Sequence, residues 1–396
     1  MFASLLHQRL LNNGVDAKIG STQYGFRPRR SSTDALMIIR RIIDAAYDNK
    51  RDGLLMVFLD WAKAFDRIKP ESLLKALCRF GFSPKMVHMI GSIYCERQFF
   101  VQDQNGNSST RCQHAGIAQG CPLSPFLFIV VQSVMFHDVY ARLHLTEEPD
   151  FIMFRELLYA EDTVLMSCSR DNLQQLLNEV VTEGSKYGLE LNWDKTFQMN
   201  VCAASDIFRP DNTALEKKRE LIYLGGLVTC DGRVSAELNR RLSEGKALFR
   251  ILNELWSHTS VSRKWKLQIF NACIISKVMY GLESLWLLKS DKMRVDAFHC
   301  MCLRKIVGVL PSYYSRVTNE SILKSSCQVK LSLQLENRQK RLFEKIQTLP
   351  ISSQLRNLVC DEVGNPKDWA YRRGRGRPRQ RWSRSAHRLF DARVNE

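Results

Sequence analysis

The sequence predicts an α+β protein, with helices on one face of a mostly antiparallel sheet and a helical module after it. Its apolar run from Leu54 to Asp60 is too short for a helix and is typical of a buried strand. Two more apolar segments, 151–159 and 163–168, meet at a tight turn and predict paired strands. After Asp231-Gly232 the apolar residues recur at helical spacing, which indicates a second, all-helical part.

The other elements follow from periodicity, helix caps and turn residues. The predicted helices run from Ser32 to Tyr47, from Pro70 to near Gly81, from Ser83 onward, from Pro122 through Phe136, and from Asn172 to Tyr187. An Asn105-Gly106 turn predicts a hairpin, and the last predicted strands lie at Thr196–Cys202 and Leu221–Val228. We therefore expect three regions, which are 1–230, 231–345 and a basic tail at 346–396.

Charge is the strongest signal in the composition. With 45% hydrophobic residues among 396, the chain can bury large cores and is not a disordered protein. Lys and Arg outnumber Asp and Glu by 58 to 41, and nine arginines lie between Tyr371 and Glu396. This excess of positive charge indicates a polyanionic partner, of which nucleic acid is the first candidate. The alternative is a cationic surface that is simply solvated. We expect no membrane span, no signal peptide and no disulfide framework, hence an intracellular protein of the nucleus or cytoplasm.

Two acidic clusters carry the chemistry. Asp60 ends the predicted buried strand and is followed by Asp66, whereas Glu161-Asp162 lies at the predicted hairpin turn. Carboxylates at such positions are usually solvated, but strand ends and turns at one sheet edge can also converge. Converging carboxylates suit a pair of divalent cations that stabilise the attacking and leaving oxygens in phosphoryl transfer. Magnesium fits best because it prefers oxygen ligands and keeps waters for substrate phosphates.

Six motifs then identify a family resemblance. In order they are QYGFRPRRSSTDA (23–35), FLDWAKAFD (58–66), GIAQGCPLSPFLF (116–128), YAEDTVLM (159–166), GLELNWDKTFQM (188–199) and YLGGLVTCDG (223–232). Together they strongly resemble the reverse transcriptase of non-LTR (LINE-like) retrotransposons. The resemblance extends over nearly the whole chain, through KVMYGLESLW (277–286) to GRPRQRW (376–382).

The resemblance implies a right-hand polymerase with partial fingers, a palm built on a ferredoxin-like antiparallel sheet, and a helical thumb-like module. It implies that Asp60, Glu161 and Asp162 bind two Mg²⁺ ions, with Mn²⁺ as an alternative. It further implies that Lys195 protonates the leaving pyrophosphate or stabilises its charge, although a surface lysine is the simpler interpretation of the residue alone. The implied partners are an RNA template, a DNA primer and dNTPs.

The resemblance also implies a nucleotide site. Phe65, five residues after Asp60, matches an aromatic gate against the ribose 2′-hydroxyl, with core packing as the alternative. Gln119 and Gly120 match the loop near the incoming nucleotide, although Pro122 also suits an ordinary helix start. Arg27, together with Arg29 and Arg30, matches a motif that approaches template or triphosphate, or belongs to a solvated loop.

Two further segments match nucleic-acid contacts. Tyr223, Leu224 and Gly225 match the primer grip, with a plain strand turn as the alternative. The tail favours general phosphate binding over an A·T-reading minor-groove motif at 375–378. Its candidate contacts are Arg372, Arg373, Arg375, Arg377, Arg379 and Arg381.

Two departures from the family lower the expected activity. Glu161 stands where the family has Asp, and the chain begins close to the QYGFR motif, so we expect the upstream fingers and endonuclease segments to be absent. The competing hypotheses are a retroelement remnant that binds nucleic acid without catalysis and an RNA-binding splicing cofactor of the group II intron type. The helical-module motifs argue against the second. His299, Cys300 and Cys302 are rejected as a zinc site because their spacing is wrong.

Overall fold

The computed structural model describes residues 2–49, 53–94, 97–104, 106–367 and 380–394. The chain divides into two compact units, the first formed by 1–35 and 49–219 and the second by 36–48 and 220–396. The long helix α2 (Ser32–Asn49) contributes residues to both units.

The first unit contains the main sheet and the helices that cover it. Its helices are α1 (Phe2–Asn12), the start of α2, α3 (Ala64–Arg67), α4 (Pro70–Phe80), α5 (Pro84–Tyr94), α6 (Ser124–Arg142) and α7 (Arg170–Lys186), with 3₁₀ turns at Val15–Lys18 and Trp193–Lys195. Its strands are β1 (Leu54–Leu59), β2 (Arg97–Phe99), β3 (Gln102–Asp103), β4 (Gly106–Asn107), β5 (Arg111–Gln113), β6 (Glu156–Tyr159), β7 (Asp162–Ser167), β8 (Phe197–Val201) and β9 (Glu216–Lys217).

Five strands form the main sheet in the order β6-β7-β1-β8-β9. The first four pair antiparallel, and only β9 runs parallel to its neighbour β8. β1 lies in the centre, and all six of its residues are buried, which explains its continuous apolar sequence. The prediction of a mostly antiparallel α+β sheet is therefore confirmed.

Helices cover one face of this sheet. Leu55, Val57 and Leu59 of β1 join a single apolar core with residues of α4, α6 and α7. Among the described residues, α6 is the one helix whose length and composition would allow it to cross a membrane, and 67% of its most apolar window is buried. Its buried side chains belong to this core, which is the usual place of an apolar helix inside a folded domain.

One predicted strand was too long. The segment 151–159 forms a strand only at β6, from Glu156. Its partner β7 ends at Ser167, because Glu148 accepts from the next backbone N–H and Ser169 caps the start of α7. The Met166 N–H of β7 still donates to the Arg155 carbonyl at 2.8 Å, and the residues before Arg155 lie outside the strand.

The second unit is helical apart from one hairpin. It contains β10 (Glu220–Tyr223), β11 (Gly226–Thr229), α8 (Val234–Ile251), α9 (Asn253–Ser257), α10 (Arg263–Ile269), a π-helical segment (Phe270–Ile275), α11 (Ser276–Met279), a 3₁₀ turn (Leu282–Ser284), α12 (Lys289–Val307), α13 (Ser312–Ser315), α14 (Asn319–Ser325), α15 (Leu331–Gln347), α16 (Gln354–Val359) and α17 (Trp382–Val394).

The single strand expected at 221–228 is a hairpin and belongs to this unit. Leu224 and Gly225 both adopt left-handed backbone angles, which close the two-residue turn between β10 and β11. Arg240 of α8 donates to the Gly225 carbonyl at 2.8 Å, and Arg241 donates to the same carbonyl. These contacts tie the hairpin to the helices, so the units divide at residues 219 and 220 and not at 230.

The C-terminal region contains a helix that is anchored to the protein by a buried tryptophan. Trp382 begins α17, is buried, and its indole Nε1 donates to the Glu283 carbonyl at 2.8 Å. Arg381 pairs with Asp48 at 3.3 Å and is thus held against the protein. The sequence predicted only a basic tail here and no helix, because the arginine-rich composition does not reveal the apolar surface that Trp382 buries. Arg372, Arg373, Arg375, Arg377 and Arg379 lie outside the described residues.

Candidate active site

Two carboxylates face each other at one end of the main sheet. In the ladder between β1 and β7, Leu59 lies opposite Thr163. One step further outward, the same register places Asp60 opposite Asp162. Residues directly opposite in an antiparallel pair project from the same face with side chains in contact range. The sheet therefore brings the two predicted acidic clusters together.

The electrostatics of Asp162 reflect this juxtaposition. Desolvation by the surrounding protein, together with the negative charges of Glu161 and Asp60, raises the pKa of Asp162 to about 6. Asp162 is nevertheless exposed, so a ligand from solvent can reach it. A bound cation would offset the negative charges of Glu161 and Asp60 that act on Asp162.

The hairpin between β6 and β7 sets the position of Glu161. Tyr159 pairs with Asp162, so Ala160 and Glu161 form a two-residue turn. Ala160 adopts φ of 53°, in the left-handed region that a residue with a Cβ rarely occupies. Glu161 follows it and is exposed at the tip.

Backbone contacts fix Asp60 in place. The carbonyl of Asp60 accepts from the Asn192 N–H at 2.8 Å, and its own N–H donates to the Thr196 hydroxyl at 3.4 Å. The neighbouring Trp61 donates from Nε1 to the Thr163 hydroxyl at 3.2 Å and so locks β1 to β7. Lys195 lies in the exposed turn between Asn192 and Thr196 and is therefore carried at the edge of the same site.

The residues matched to the nucleotide site form a second cluster in the same unit. Phe65 in α3 is half-buried and stacks on Phe128, with ring centroids 4.7 Å apart. Its carbonyl accepts from the Ile117 N–H at 2.8 Å. Gln119 and Gly120 follow Ile117 and are exposed, and Gly120 has φ of 83° with open space beside it. Phe65 thus packs on Phe128 and also borders the loop that contains Gln119 and Gly120.

Arg27 is bonded within its own loop. It donates to the Asp16 carboxylate at 3.0 Å, to the Asp16 carbonyl at 2.7 Å and to the Gly20 carbonyl at 2.9 Å, and only 7% of its side chain is exposed. Its neighbour Arg30 donates to the Gln23 carbonyl at 2.7 Å and lies over the ring of Tyr24. Phosphate binding by Arg27 would require these bonds to break, whereas Arg29 is exposed.

The segment matched to the primer grip is well anchored within the second unit. The hydroxyl of Tyr280 donates to the Leu224 carbonyl at 2.9 Å, and a Cβ on Gly225 would lie 3.4 Å from the Tyr280 ring. Tyr223 is buried, so its ring supports the hairpin and is not a surface for a primer. The exposed part of the turn is its backbone.

Sequence reasoning assigned no role to Gln23 and named Asp66 only as part of an acidic cluster, without its partner. Asp66 accepts from Gln119, and Gln23 contacts the turn at Ala160. Both residues belong to the motifs that carry the resemblance, so their presence there was the available signal. Their partners are 53 and 137 positions away, which no local pattern can reveal.

The carboxylates of Asp60 and Asp162 suit a hard cation whose remaining ligands come from the substrate. Among the described residues, no three His, Cys, Asp or Glu side chains are gathered closely enough to form a complete metal cage. Magnesium does not need one, because one or two carboxylates and the substrate phosphates complete its shell. Opposed Asp60 and Asp162 offer oxygen ligands of this kind.

A mainly antiparallel sheet with helices on one face, bearing carboxylates at a strand end and at a hairpin tip, defines a right-hand polymerase palm. The family model for reverse transcriptase (RNA-dependent DNA polymerase) matches residues 2–228, more than half of the chain. The chain belongs to this reverse transcriptase family.

Its relatives are polymerases of mobile elements. The chain is 25% identical over 365 residues to the RNA-directed DNA polymerase from mobile element jockey of Drosophila melanogaster, covering 88% of this chain and 38% of that protein. It is 23% identical over 315 residues to the probable RNA-directed DNA polymerase from transposon BS of the same species, covering 75% of this chain and 33% of that protein. The chain thus spans about a third of the length of these relatives.

Among solved structures, apo telomerase from Candida tropicalis is similar with a TM-score of 0.45 and 13% identity, covering 90% of this chain and 61% of that chain.

Proposed function

We propose that this chain is the RNA-directed DNA polymerase part of a non-LTR retrotransposon protein. The observation that carries the proposal is the opposition of Asp60 and Asp162 at the open end of the sheet, with the raised pKa of Asp162. The substrates are a DNA primer paired to an RNA template and a dNTP. The 3′-hydroxyl oxygen of the primer bonds to the α-phosphorus, and the bond to pyrophosphate breaks.

Asp60 and Asp162, with Glu161 beside them, would hold two Mg²⁺ ions, and Mn²⁺ is the alternative. Bound divalent cations in such a site lower the pKa of the attacking hydroxyl and neutralise charge on the leaving phosphates. The protein supplies the opposed carboxylates, and the sheet keeps them in register without rearrangement during the reaction.

The other residues orient the nucleotide. Phe65 closes the space at the sugar 2′-position, and the Gln119–Gly120 loop lies against the incoming base and template. Lys195, exposed at the edge of the site, donates a proton to the departing pyrophosphate or balances its charge. The Tyr223–Gly225 turn positions the primer end through its backbone, and the five arginines between 372 and 379 bind phosphates.

A second candidate function is nucleic-acid binding without catalysis. The observation that favours it is Glu161, whose carboxylate extends about 1.5 Å further from the backbone than that of the family's Asp. Magnesium tolerates such displacement poorly, since its ligands must lie at about 2.0–2.1 Å.

Primer extension on an RNA template distinguishes the two functions. A misplacement of about 1 Å can cost on the order of 100-fold in rate, so we expect weak synthesis from the parent chain and a gain of that order from Glu161→Asp. Mn²⁺, which is less strict in geometry, should reduce the gap. Asp60→Ala should abolish synthesis in either background.

If Glu161→Asp and Asp60→Ala leave extension equally undetectable while RNA binding persists, the binding function is the correct one. If the parent already extends as fast as the Glu161→Asp form, Glu161 is a fully competent ligand.

A further inference from the structure

The acidic turn at Ala160–Glu161 is held from the side by a segment far away in sequence. Residues 22–24 lie along the edge strand β6, where the Tyr24 N–H donates to the Leu158 carbonyl at 2.7 Å and the Leu158 N–H donates to the Thr22 carbonyl at 3.0 Å. Gln23 and Leu158 form a parallel bridge between these bonds. This segment therefore extends the sheet by one short step next to the turn.

The side chain of Gln23 makes the direct contact. Its Oε1 accepts from the backbone N–H of Gly25 at 2.7 Å and from the backbone N–H of Ala160 at 3.0 Å. Its Nε2 donates to Oε1 of Gln132 in α6 at 2.9 Å. Gln23 is 1% exposed, so these bonds are shielded from competing water.

Gly25 allows the close approach. A Cβ at this position would lie 2.2 Å from the Ala160 nitrogen and 2.8 Å from the Tyr159 carbonyl carbon, distances that side chains do not tolerate. Backbone therefore packs directly on backbone at the turn, and only glycine fits.

Ala160 needs such support. A non-glycine residue in the left-handed region persists when surrounding contacts over-determine it. Here the N–H of Ala160 is fixed by Gln23, and its peptide is packed against Gly25. The conformation of this peptide therefore sets the orientation of the backbone at Glu161 and Asp162, which follow it.

We propose that Gln23 and Gly25 are positioning residues that set the placement of Glu161 and Asp162 and thereby the cation affinity of the site. The proposal rests on the proposed function, since it assigns these residues to the same site. Outer contacts that orient metal ligands change metal affinity by about 10–100-fold when they are removed. Gln23 touches no substrate and acts through the turn alone.

The experiment compares Gln23→Met with Gln132→Met in the full chain. Gln23→Met removes the acceptor for both backbone N–H groups, whereas Gln132→Met removes one buried bond of the same network and leaves the turn contact intact. Two quantities are measured in each protein, the hydrogen-exchange protection of the Ala160 amide and the affinity for Mn²⁺ followed by electron paramagnetic resonance. Neither measurement requires polymerase activity.

We expect Gln23→Met to lose protection at Ala160 and to bind Mn²⁺ at least about tenfold more weakly, while Gln132→Met retains both. Equal effects in the two variants, or wild-type Mn²⁺ affinity in Gln23→Met, would overturn the proposal and leave Gln23 a structural residue. If Gln23→Met does not fold, Gln23→Asn applies the same test, because its shorter side chain withdraws the acceptor from the Ala160 N–H while it remains polar. A wild-type chain that binds no Mn²⁺ would instead count against the proposed function.

Discussion

The side-chain amide of Gln119 donates to both carboxylate oxygens of Asp66, at 3.0 and 3.2 Å. Together with the bond from Ile117 to the Phe65 carbonyl, this contact fastens the loop that precedes α6 to the short helix α3. A Cβ on Gly116 would lie 2.8 Å from the Asp66 carbonyl, so the two segments touch backbone to backbone. The ring of Phe65 is therefore held at a fixed distance from the loop.

Phe65→Val should relax discrimination against ribonucleotides. The smaller side chain leaves room for a 2′-hydroxyl, so incorporation of rNTP relative to dNTP should rise on the order of tenfold. The measurement is the ratio of kcat/KM for the two nucleotides in the Glu161→Asp background. Phe65→Tyr is the matched control, because it keeps the ring and should keep the ratio. An unchanged ratio in Phe65→Val would assign Phe65 to packing on Phe128 alone.

Asp162→Asn should stabilise the folded protein while abolishing synthesis. Because the pKa of Asp162 is raised from 3.8 to about 6, its ionisation opposes folding. This cost is absent below the ordinary pKa, grows as the pH rises from 3.8, and is complete above about 6. At pH 7.5 we expect a gain of about 1 kcal/mol, discounted for the solvent screening of an exposed carboxylate.

The measurement is urea unfolding with EDTA at pH 7.5 and at pH 4, where the gain should nearly vanish. Asp150→Asn is the control, because Asp150 is exposed and is not a predicted metal ligand. It should leave the free energy of unfolding unchanged at both pH values. A gain that is independent of pH would show that the repulsion between carboxylates is not its source.

Trp382→Ala should destabilise the second unit strongly. Trp382 is 1% exposed, and its loss removes both a large buried ring and the bond to the Glu283 carbonyl. Such truncations cost about 3–5 kcal/mol. Trp265, which is 63% exposed in the same unit, provides the control, since Trp265→Ala should change stability by less than about 0.5 kcal/mol. Chemical denaturation compares them, and equal effects would contradict the packing of α17.

Replacing the five arginines between 372 and 379 with glutamine should weaken nucleic-acid binding and flatten its salt dependence. Each phosphate contact on a single strand contributes about 0.7 to the slope of log affinity against log salt, so the slope should fall by up to about 3.5. Arg381→Gln should leave the slope unchanged, because Arg381 is paired with Asp48. An unaltered slope in the fivefold variant would show that these arginines do not contact phosphate, and preferential loss on A·T-rich duplex would support minor-groove binding.

The sequence predicted those parts of the site that depend on local pattern. The apolar run ending at Asp60 and the tight turn before 163–168 carry their signals in neighbouring residues, and both are present, although Asp162 belongs to β7 and not to the turn. The register that brings the two together depends on pairing between segments about a hundred positions apart, which the pattern only suggested.

Long-range contacts account for what the sequence did not predict. Gln23 hydrogen-bonds to the Ala160 N–H, and Arg27 hydrogen-bonds to Asp16. Periodicity does not identify either partner. The apolar pattern of 151–159 likewise did not indicate that the strand begins only at Glu156. The helix beginning at Trp382 was hidden because the arginines around it dominate the composition of that region.

The division of α2 between the two units has a consequence for biosynthesis. Arg40 is 5% exposed, and its guanidinium donates to the carbonyls of Leu227 and Gly281, partners 187 and 241 positions further along the chain. At roughly 5–20 residues per second, a ribosome needs roughly 10 to 50 s to deliver them. During that interval the middle of α2 carries a charge that only later residues can bury. A nascent chain that ends at Arg219 therefore lacks both hydrogen-bond partners of Arg40. Until they are synthesised, the middle of α2 is available to chaperones.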